Sequence, residues 1–375
     1  MNKTLLIFVS HVSFFMSHRF EIALAAKKLG YKVKVAFGEI DADIKYLSEK
    51  GIESFHVPIQ RGGINPFSEA RSLLSLWSLF RKLKPDIVHL VTIKPYLYGG
   101  IIARLTKVPC LVSAISGLGT LFIQNDFKSR FLRFMLYQIY KFAFGHHNQK
   151  VIFQNQHDAK VLIKWGVLNQ EKVLLIRGSG VNLDNFTHLD EPNDIVTVCF
   201  AGRLLREKGV YEYVSAARLL NQRKIKANFL LVGDIDSKNP SALKEEELEK
   251  IRDEGIVQIL GYQKNIAKIY SGSHIVCLPS YREGLPKSLM EAAAASRAVV
   301  TTDVPGCKDA IIPNKSGLLV PVKDSKKLAD TLQLLIENNK LRISMGKVGR
   351  QLAEEEFVIE KIVKKHMDIY KLLSQ

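Results

Sequence analysis

The sequence predicts an α/β protein of two domains, each built on a parallel β-sheet with helices on both faces. Three observations support this prediction. Short apolar runs alternate with helical patterns, as expected for β-α-β units. The alternation stops in a polar, turn-rich stretch at 178–194 and then starts again. The chain has 375 residues, which is enough for two domains of ordinary size.

The first half of the chain supplies the first predicted sheet. Its predicted elements are strand 5–9, a helix closed by Gly30, strand 32–37, helix 67–83 and strands 86–91, 110–115, 151–153 and 173–176. The first apolar run also resembles the core of a signal peptide, but polar His11 and Ser13 follow it without a small-residue cleavage site. We therefore expect the buried first strand of a parallel sheet there.

The second half repeats the pattern. Its predicted elements are strand 195–201, helix 210–221, strand 227–232, helix 243–253, strands 257–260 and 274–278, helix 286–295, strands 298–302 and 317–320, and two terminal helices beginning near Ser325 and Lys361. In open parallel sheets, ligands bind outside the carboxyl ends of the strands. Functional residues are therefore expected directly after strands, along a cleft between the two halves.

The composition excludes several classes of protein. A hydrophobic content of 47% and a charged content of 24% are ordinary for a globular chain and exclude intrinsic disorder. No run of about 18 uncharged apolar residues occurs, so no transmembrane helix is predicted. The four cysteines are scattered without a C-x-x-C pair, which argues against a zinc site or a disulfide framework and fits a reducing compartment.

The charge is unevenly distributed. The net charge is +17, and residues 61–150 alone carry 13 basic and 3 acidic residues, a net of +10. A basic half of this kind indicates an anionic partner, which can be nucleic acid, phospholipid or a phosphorylated substrate.

The first candidate phosphate-binding loop is Ala201-Gly-Arg-Leu-Leu-Arg-Glu-Lys-Gly209, between a predicted strand and a predicted helix. Gly202 and Gly209 allow the backbone to turn and to approach a ligand. Arg203 and Lys208 supply two cations where a diphosphate could bind near a helix N-terminus. Taken alone, a basic loop of this kind is more often a plain solvated turn.

The second candidate loop is Pro279-Ser-Tyr-Arg-Glu-Gly-Leu-Pro-Lys-Ser-Leu-Met-Glu291. Pro286 suits the first turn of a helix, whose N-terminus offers free N–H groups to phosphate oxygens. Side chains on a helix lean toward its N-terminus, so Glu291 can point back toward the loop that holds Glu283. One carboxylate can then accept hydrogen bonds from sugar hydroxyls and the other from ribose hydroxyls. The alternative is that Glu283 only favours the helix dipole and that Glu291 is solvated.

Together the two loops resemble those of the family 4 retaining glycosyltransferases, which have the GT-B fold. The resemblance covers nearly the whole chain and includes Leu231-Val-Gly-Asp234, Leu260-Gly-Tyr262, Pro305-Gly-Cys307 and Ser316-Gly-Leu-Leu-Val320. It implies two Rossmann-like domains with parallel sheets facing a central cleft. It also implies that the C-terminal domain binds a nucleotide-diphospho-sugar without a cofactor.

The resemblance also implies roles for individual residues. Arg203 and Lys208 hold the diphosphate, and with Glu283, which binds the donor sugar's hydroxyls, they form the expected catalytic set. Glu291 binds the ribose, and the backbone near Gly261 and Tyr262 receives the base. Further nucleotide-sugar-binding positions implied by the same strings are Gly202, Gly233, Gly284, Leu285, Pro286 and Ser288.

One position departs from the family pattern. Many relatives have a histidine after the strand that matches 110–115, whereas this chain has Ser116-Gly-Leu-Gly119. The longer string Ser-Gly-Leu-Gly-Thr-Leu-Phe122 resembles a branch that acts on lipid-linked sugars in bacterial surface-polysaccharide or glycan assembly. Without the histidine, no side chain is assigned to activate the acceptor. We expect the leaving phosphate to do so, with the backbone around Gly117 and Gly119 shaping the acceptor site.

The metal-binding and dinucleotide-binding motifs are discounted. Asp41-Ala-Asp43 and Asp234-Ile-Asp236 fit the Asp-x-Asp pattern of metal-dependent sugar transfer, but so short a pattern arises easily by chance. GT-B enzymes generally use Arg and Lys in place of the metal, so no metal is predicted. Side chains of adjacent residues point apart, which argues against a metal site at His146-His147. The dinucleotide fingerprint and the P-loop are absent from the sequence.

The segment Phe127–Phe144 predicts an amphipathic helix. One broad face carries Phe131, Leu132, Met135, Leu136, Ile139, Phe142 and Ala143, and the other carries Arg130, Arg133 and Lys141 among Phe134, Tyr137, Tyr140 and Phe144. Two interpretations stay open, a core helix with a solvated basic face and a membrane-surface helix or lipid-acceptor groove. The local charge favours the second, because an anionic leaflet attracts Lys and Arg.

The sequence therefore predicts a retaining, metal-independent hexosyltransferase. Its predicted donor is a nucleotide-diphospho-sugar, with a preference for UDP, and its predicted acceptor is a polyprenyl-diphosphate-linked saccharide. The predicted location is cytoplasmic, peripheral on the inner face of the plasma membrane and bound to its anionic surface. A nucleotide-sugar epimerase of GT-B fold is the alternative. A nucleic-acid-binding protein is a remote alternative, and since no nucleic-acid motif supports it, no nucleic-acid partner is predicted.

Three segments make up the predicted domain organisation. Residues 1–185 form an acceptor- and membrane-facing Rossmann-like domain. Residues 186–355 form a nucleotide-sugar-binding Rossmann-like domain. Residues 356–375 form a C-terminal helix that packs back on the N-terminal domain.

Overall fold

The computed structural model contains two compact units. The N-terminal unit comprises residues 1–179 and 360–375, and the C-terminal unit comprises residues 180–359. The structure describes residues 3–42, 44–59, 65–118, 127–187, 190–237 and 239–375, and over 127–133 it describes the backbone alone. Each unit is built on a parallel sheet, so the predicted α/β fold class is confirmed.

The sheet of the N-terminal unit has seven strands within the described residues. They are β1 (Thr4–His11), β2 (Lys32–Glu39), β3 (Glu53–His56), β4 (Ile87–Val91), β5 (Cys110–Ile115), β6 (Gln149–Phe153) and β7 (Val173–Leu175). Their order across the sheet is β3-β2-β1-β4-β5-β6-β7. Leu5–Val9 of β1 are fully buried, which suits a central strand covered on both faces.

Helices cover both faces of this sheet. Those preceding the C-terminal unit are α1 (Val12–His18), α2 (Phe20–Lys28), α3 (Lys45–Glu49), α4 (Pro66–Leu83), α5 (Ile93–Leu105), α6 (Phe127–Ala143) and α7 (Gln156–Lys164). Phe80 of α4, Tyr96 of α5 and Tyr140 of α6 share one apolar cluster with Phe8 of β1. Helices α1 and α2 pack in a second cluster on the other face, so α4, α5 and α6 form one layer.

The C-terminal unit repeats this architecture with six strands among its described residues. They are β8 (Thr197–Ala201), β9 (Asn228–Val232), β10 (Gln258–Gly261), β11 (Ile275–Leu278), β12 (Ala298–Thr302) and β13 (Gly317–Val320), in the order β10-β9-β8-β11-β12-β13. Its helices are α8 (Val210–Gln222), α9 (Glu245–Asp253), α10 (Ile266–Ser271), α11 (Lys287–Ala294), α12 (Ser325–Glu337) and α13 (Asn339–Leu352).

The strand order reverses at the same place in both sheets. The first strand of each sheet pairs with the second on one side and with the fourth on the other. The crevice at such a reversal is where open parallel sheets bind ligands. The loops after β1 and β4, and those after β8 and β11, therefore lie at the expected binding positions.

The last helix, α14 (Ile359–Leu373), packs in the core of the N-terminal unit. The hydroxyl of Tyr370 lies 2.6 Å from Nδ1 of His89 on β4, and both side chains are buried. The rings of His89 and His366 stack with their centroids 5.6 Å apart. The carbonyl of Leu373 accepts a 2.9 Å hydrogen bond from the Asn148 side chain.

Seven elements lie where the sequence pattern did not predict them, namely β3, α1, α3, α5, α7, α10 and α13. Helix α5 shows why, because it contains Pro95 and the pair Gly99–Gly100, which are unfavourable in helices. Pro95 is tolerated in the first turn. A Cβ on Gly100 would lie 2.7 Å from the carbonyl oxygen of Ala143 in α6, so this position needs a glycine. Packing between α5 and α6, which propensity does not report, stabilises this helix.

The predicted division of α6 into two faces is wrong. Tyr140 and Phe144, which were expected beside the basic residues, are buried in the core. Met135 and Phe142, expected on the apolar face, are exposed. The buried side instead follows 136, 140, 143 and 144, because the contact with α5 selects which aromatic residues turn inward.

Candidate active site

The predicted nucleotide-sugar residues of the C-terminal unit gather at one edge of its sheet. Arg203 follows β8, Gly233 follows β9, Tyr262 follows β10 and the loop 279–286 follows β11. These four strands are neighbours and run parallel, so their carboxyl ends meet at the same edge. The loops after β8 and β11 flank the reversal of strand order.

Backbone contact between two of these loops requires a glycine at 233. Gly233 has φ +137°, and a Cβ there would lie 1.9 Å from the carbonyl oxygen of Gly202. The N–H of Gly202 in turn donates to the carbonyl of Val232 at 3.0 Å. The loops after β8 and β9 therefore approach so closely that only backbone separates them.

Lys208 and Glu283 meet directly. Nζ of Lys208 donates to Oε1 of Glu283, and the hydroxyl of Ser280 lies 2.6 Å from the same carboxylate oxygen. Both members of the ion pair are mostly buried, and Ser280 is fully buried. The structure thus joins two predicted catalytic side chains that are 75 residues apart in the sequence.

Further hydrogen bonds from backbone and side chains hold the two loops together. The N–H of Tyr281 donates to the carbonyl of Glu207 at 2.8 Å, and the Ser280 hydroxyl lies 2.9 Å from the same carbonyl oxygen. The Tyr281 hydroxyl donates to Oε1 of Glu212 at 2.6 Å. Because the loop 279–283 is tied to residues 207–212, the separation of Lys208 and Glu283 is fixed by the fold.

Arg203, the other predicted diphosphate ligand, pairs with Asp236. Its Nη1 lies 2.8 Å from Oδ2 of Asp236, and 54% of the Arg203 side chain is exposed. The guanidinium is therefore held at the edge of the sheet while much of it still faces solvent.

Glu291 leans toward the start of α11, as its position on the helix predicts. Its Oε1 lies 3.6 Å from Nζ of Lys287, one turn earlier. Burial raises the pKa of the Glu291 carboxyl above its ordinary value, and the Lys287 ammonium opposes that rise. A partly desolvated carboxylate of this kind binds hydroxyl donors more strongly than one in water.

The remaining residues of the second loop form the start of α11. Pro286 is the N-cap of the helix rather than its first residue, with φ −70° and ψ 127°. Leu285 is buried in the core of the unit, so only its backbone can meet a ligand. Gly284 is buried and Ser288 is partly exposed at the first turn.

The predicted base-binding position lies after β10. Gly261 has φ +62°, and its carbonyl accepts a 2.9 Å hydrogen bond from the N–H of Gly233. The N–H of Tyr262 donates to Oδ1 of Asp234 at 2.8 Å, while the Tyr262 ring is 71% exposed. The ring is therefore available to stack on a planar group, and its backbone is fixed by Asp234.

The described aspartates of the two Asp-x-Asp strings contact other protein groups, whereas Asp43 lies outside the described residues. Asp234 fixes Tyr262, and Asp236 pairs with Arg203. Asp41 accepts hydrogen bonds from the backbone N–H and the hydroxyl of Ser13. Among the described residues, no group of three or more His, Cys, Asp or Glu side chains could hold a metal ion.

The predicted acceptor and membrane residues belong to the N-terminal unit. Gly117 follows β5 with φ +133°, whereas Gly119 lies outside the described residues. Arg130 and Arg133 lie on α6, where the structure gives the backbone alone. Lys141 is exposed, with its Nζ 5.4 Å from the centroid of the Tyr137 ring. None of the described helices is long and apolar enough to span a bilayer.

Sequence reasoning missed the groups that position the predicted residues. Ser280, Glu212 and Asp236 carry no role in the sequence analysis, although each contacts a predicted loop or side chain. Ser280 stands inside the quoted string 279–291, so its position after a strand was a usable signal. The sequence contains no signal for the positioning roles of Glu212 and Asp236, because their contacts depend on how the loops fold.

Two family models match the chain. Residues 183–352 match the model described as "Glycosyl transferases group 1", and residues 4–155 match "Glycosyl transferase 4-like". The first match contains the Lys208–Glu283 pair, and the second contains the first six strands of the N-terminal sheet.

Curated relatives extend the match over the full length. The chain is 30% identical over 374 residues to the N,N'-diacetylbacillosaminyl-diphospho-undecaprenol alpha-1,3-N-acetylgalactosaminyltransferase of Campylobacter jejuni, covering 95% of this chain and 96% of the relative. It is 26% identical over 339 residues to the UDP-Gal:alpha-D-GlcNAc-diphosphoundecaprenol alpha-1,3-galactosyltransferase of Escherichia coli, covering 87% of this chain and 85% of the relative. Both are transferases, and neither supports the epimerase alternative.

A solved structure supports the fold. Anabaena Alr3699/HepE, crystallised with UDP and glucose, superposes with a TM-score of 0.76 over 99% of this chain and 100% of its own, at 16% identity. The likeness extends to both parallel-sheet units, as the GT-B prediction requires. Because a relative is 30% identical over nearly the whole of both chains and both family models match, this protein belongs to the group 1, family 4-like glycosyltransferases and is an enzyme of the GT-B fold.

Proposed function

We propose that the enzyme transfers a hexose or N-acetylhexosamine from a UDP-linked sugar to a polyprenyl-diphosphate-linked saccharide, with retention of the anomeric configuration and without a metal. The observation that carries this proposal is the Lys208–Glu283 pair beside Ser280 at the reversal of strand order. The names of the Campylobacter and Escherichia relatives support the lipid-linked acceptor, and the UDP in the Anabaena structure supports the donor.

Positive charge at the sheet edge suits the leaving group. Lys208 and Arg203 lie on the loop after β8, and the N-terminus of α11 presents the positive end of the helix dipole. Groups fixed before the reaction stabilise charge that develops on the diphosphate without further reorganisation. In this scheme Glu283 and Glu291 hold hydroxyls of the sugar and the ribose, so the anomeric carbon is held in one orientation.

The bond changes balance without an enzyme base. The acceptor oxygen forms a bond to the anomeric carbon, and the bond from that carbon to the phosphate oxygen breaks. The acceptor proton passes to an oxygen of the leaving diphosphate. Attack on the same face that the diphosphate leaves gives retention, and Gly117 and Gly119 shape the acceptor site by their backbone.

We place the enzyme on the cytoplasmic side, peripheral on the inner face of the plasma membrane. An undecaprenyl chain stays in the bilayer, so an enzyme that uses it must work at the membrane surface. The basic segment 61–150 supports binding to anionic lipid.

A donor screen tests the proposal. The enzyme is incubated with individual nucleotide sugars and a pool of undecaprenyl-linked acceptors, and products are identified by mass spectrometry. One added hexose or N-acetylhexosamine is expected from a UDP sugar, and the anomeric proton of the product should show that the configuration of the donor is retained in the NMR spectrum. Chelator should leave the rate unchanged, and an absolute requirement for manganese or magnesium would overturn the metal-free scheme.

The alternatives have separate readouts. An epimerase would convert the donor without any acceptor, so incubation of UDP sugar alone distinguishes it. A nucleic-acid-binding protein would bind duplex in a salt-sensitive manner without preferring lipid vesicles.

A further inference from the structure

The outward side of α4 is apolar where a solvent-facing helix side is expected to be polar. Phe67 is 88% exposed, Leu74 is 71% exposed and Trp77 is 36% exposed. At about 100° per residue, Phe67 and Leu74 lie on the side opposite to the buried Leu76 and Phe80. These side chains therefore project away from the core rather than filling a gap in it.

The charges along α4 are arranged around this apolar side. Arg71, Arg81 and Lys82 are exposed. Glu69, the one acidic residue of the helix, is turned inward, with its oxygens 2.6 Å from Nζ of Lys94 and 2.5 Å from the Tyr98 hydroxyl. Since every residue of α4 is described, its outward side combines exposed apolar groups with exposed cations and presents no exposed carboxylate.

The neighbouring helices continue the pattern. Phe134 and Phe142 of α6 are exposed, and the Arg104 guanidinium of α5 lies 4.1 Å from the centroid of the Phe142 ring. In sequence, α4, α5 and α6 carry nine basic residues and one acidic residue, a net charge of +8. This helical layer is therefore the basic, apolar side of the N-terminal unit.

These features favour an anionic lipid surface as the binding partner of the outward side of α4. Phe67 and Leu74 protrude, which suits a deformable surface better than a rigid one. A second copy of the same layer would bring two strongly positive surfaces together, which opposes self-association. Stable membrane attachment needs an apolar anchor together with a basic patch, and α4 supplies both.

The position of α4 also fits a lipid-linked acceptor. The helix connects the carboxyl end of β3 to the start of β4, so it begins at the carboxyl edge of the sheet. Phe67 lies in its first turn, and that edge is where an open parallel sheet binds ligands. A lipid held in the bilayer beside Phe67 would present its saccharide to the same edge.

We propose that the outward side of α4 is a membrane-docking surface, with Phe67 and Leu74 inserted among anionic lipids and Arg71 and Arg81 at the headgroups. This inference rests on the proposed lipid-linked acceptor, and it extends to α4 the docking role that the sequence analysis gave to α6.

Trp77 gives a direct test, because the chain has two tryptophans. The Trp165→Phe variant leaves Trp77 as the sole fluorophore, and Trp77→Phe leaves Trp165, which packs against Tyr140. Phosphatidylglycerol–phosphatidylcholine vesicles that contain brominated lipid should quench and blue-shift the emission of W165F but not that of W77F. Salt at ~1 M should reverse the change, because the attraction between the basic side chains and the headgroups is then screened beyond ~3 Å. Unchanged W165F emission while the protein sediments with the vesicles would overturn the proposal.

Substitution of the anchors gives a second test. Phe67→Gln with Leu74→Gln should lower vesicle binding by about a hundredfold, since two apolar anchors are lost. The matched control is Leu334→Gln with Leu372→Gln, which changes two exposed leucines outside this layer and should bind normally. Transfer to an undecaprenyl-linked acceptor in vesicles should fall with binding, whereas transfer to a short soluble analogue should not.

The two proposals fail differently. If the wild-type enzyme does not glycosylate the short soluble analogue, the proposed acceptor class is wrong. If it does, and F67Q/L74Q still binds vesicles like the control, the docking surface is not on α4.

Discussion

The two units share a strand order but differ in where their charges lie. In the C-terminal unit, Lys208–Glu283 and Arg203–Asp236 lie at the carboxyl edge of the sheet as ion pairs. In the N-terminal unit, α4, α5 and α6 carry a net charge of +8, and Arg71, Arg81, Lys82 and Lys141 of these helices are exposed. Both doubly wound sheets provide a carboxyl edge where a ligand can bind. The loops and helix surfaces around each sheet determine which groups contact that unit.

The comparison has an energetic basis. A mostly buried pair such as Lys208–Glu283 is held by hydrogen bonds and is costly to break on one side. Exposed cations on a helix surface interact weakly with each other and act together on a charged surface. In the proposed function, the C-terminal unit binds one small anionic ligand and the N-terminal unit binds an extended anionic surface.

The largest effect is expected at Lys208. Lys208→Ala should lower the transfer rate by about 10²–10³-fold with both soluble and lipid-linked acceptors, since it removes a fixed cation from the leaving diphosphate. Steady-state kinetics with each acceptor measures this. Arg218→Ala breaks another ion pair of the same unit, with Glu254, and should leave the rate near normal. Equal losses in the two variants would refute the assignment.

The second-largest effect should appear with a long-chain lipid acceptor and not with a short soluble one. Arg130→Glu, Arg133→Glu and Lys141→Glu together reverse three charges of α6, each worth ~1 kcal/mol at an anionic surface. Vesicle binding and transfer to a long-chain lipid acceptor should fall at least about a hundredfold. Transfer to a short soluble analogue should be spared. Normal sedimentation of this variant with anionic vesicles at low salt would remove α6 from the docking surface.

Substitution of Glu283 is expected to have the third-largest effect. Glu283→Gln keeps the shape of the side chain but loses charge-assisted hydrogen bonds worth ~1.5–3 kcal/mol, which corresponds to a ~10–100-fold lower rate. The same change at Glu254, which pairs with Arg218, is the matched control. The thermal midpoint of E283Q should fall, because the mostly buried Lys208 loses its charged partner, whereas that of E254Q should stay close to the wild type because the Arg218–Glu254 pair is more exposed. Near-normal turnover of E283Q would remove Glu283 from the donor-sugar contact.

Arg203 should matter less than Lys208. Its side chain is half exposed, so solvent screens its charge more strongly. Arg203→Ala should lower the rate by about tenfold, with unchanged thermal stability. A loss as large as that of Lys208→Ala would mean that donor binding buries the guanidinium, which a UDP-dependent protection of Arg203 from chemical modification would report.

The last prediction concerns the stability of the N-terminal unit and leaves the transfer rate unchanged. Burial and the charge of Arg19 lower the pKa of His366 to about 3, below that of the unfolded chain. The unfolded state then binds the additional proton, so stability is present above about pH 6.5 and falls as the pH is lowered. Between pH 6.5 and 5 the loss should be about 2 kcal/mol, and His366→Gln should reduce it in urea titrations. An unchanged pH slope in H366Q would contradict the burial argument.

The sequence by itself determined both parallel sheets and the composition of the two loops at the carboxyl edge of the sheet in the C-terminal unit. Strands such as β1 and β8 are continuous apolar runs, and such runs, alternating with helical patterns, specify a sheet covered on both faces. The strings 201–209 and 279–291 follow strands, so the topology brings them to one edge whatever the details of packing. Local pattern and strand order were sufficient for this.

Only the tertiary structure decided which side chains meet and which surfaces stay open. Ser280 and Glu212 contact the candidate site through loops that touch after folding. The inward turn of Tyr140 depends on the close approach of α5 and α6 at Gly100, and the exposure of Phe67 depends on which side of α4 faces the sheet. These contacts join residues far apart in sequence, and their free energies depend on packing that no local window of residues contains.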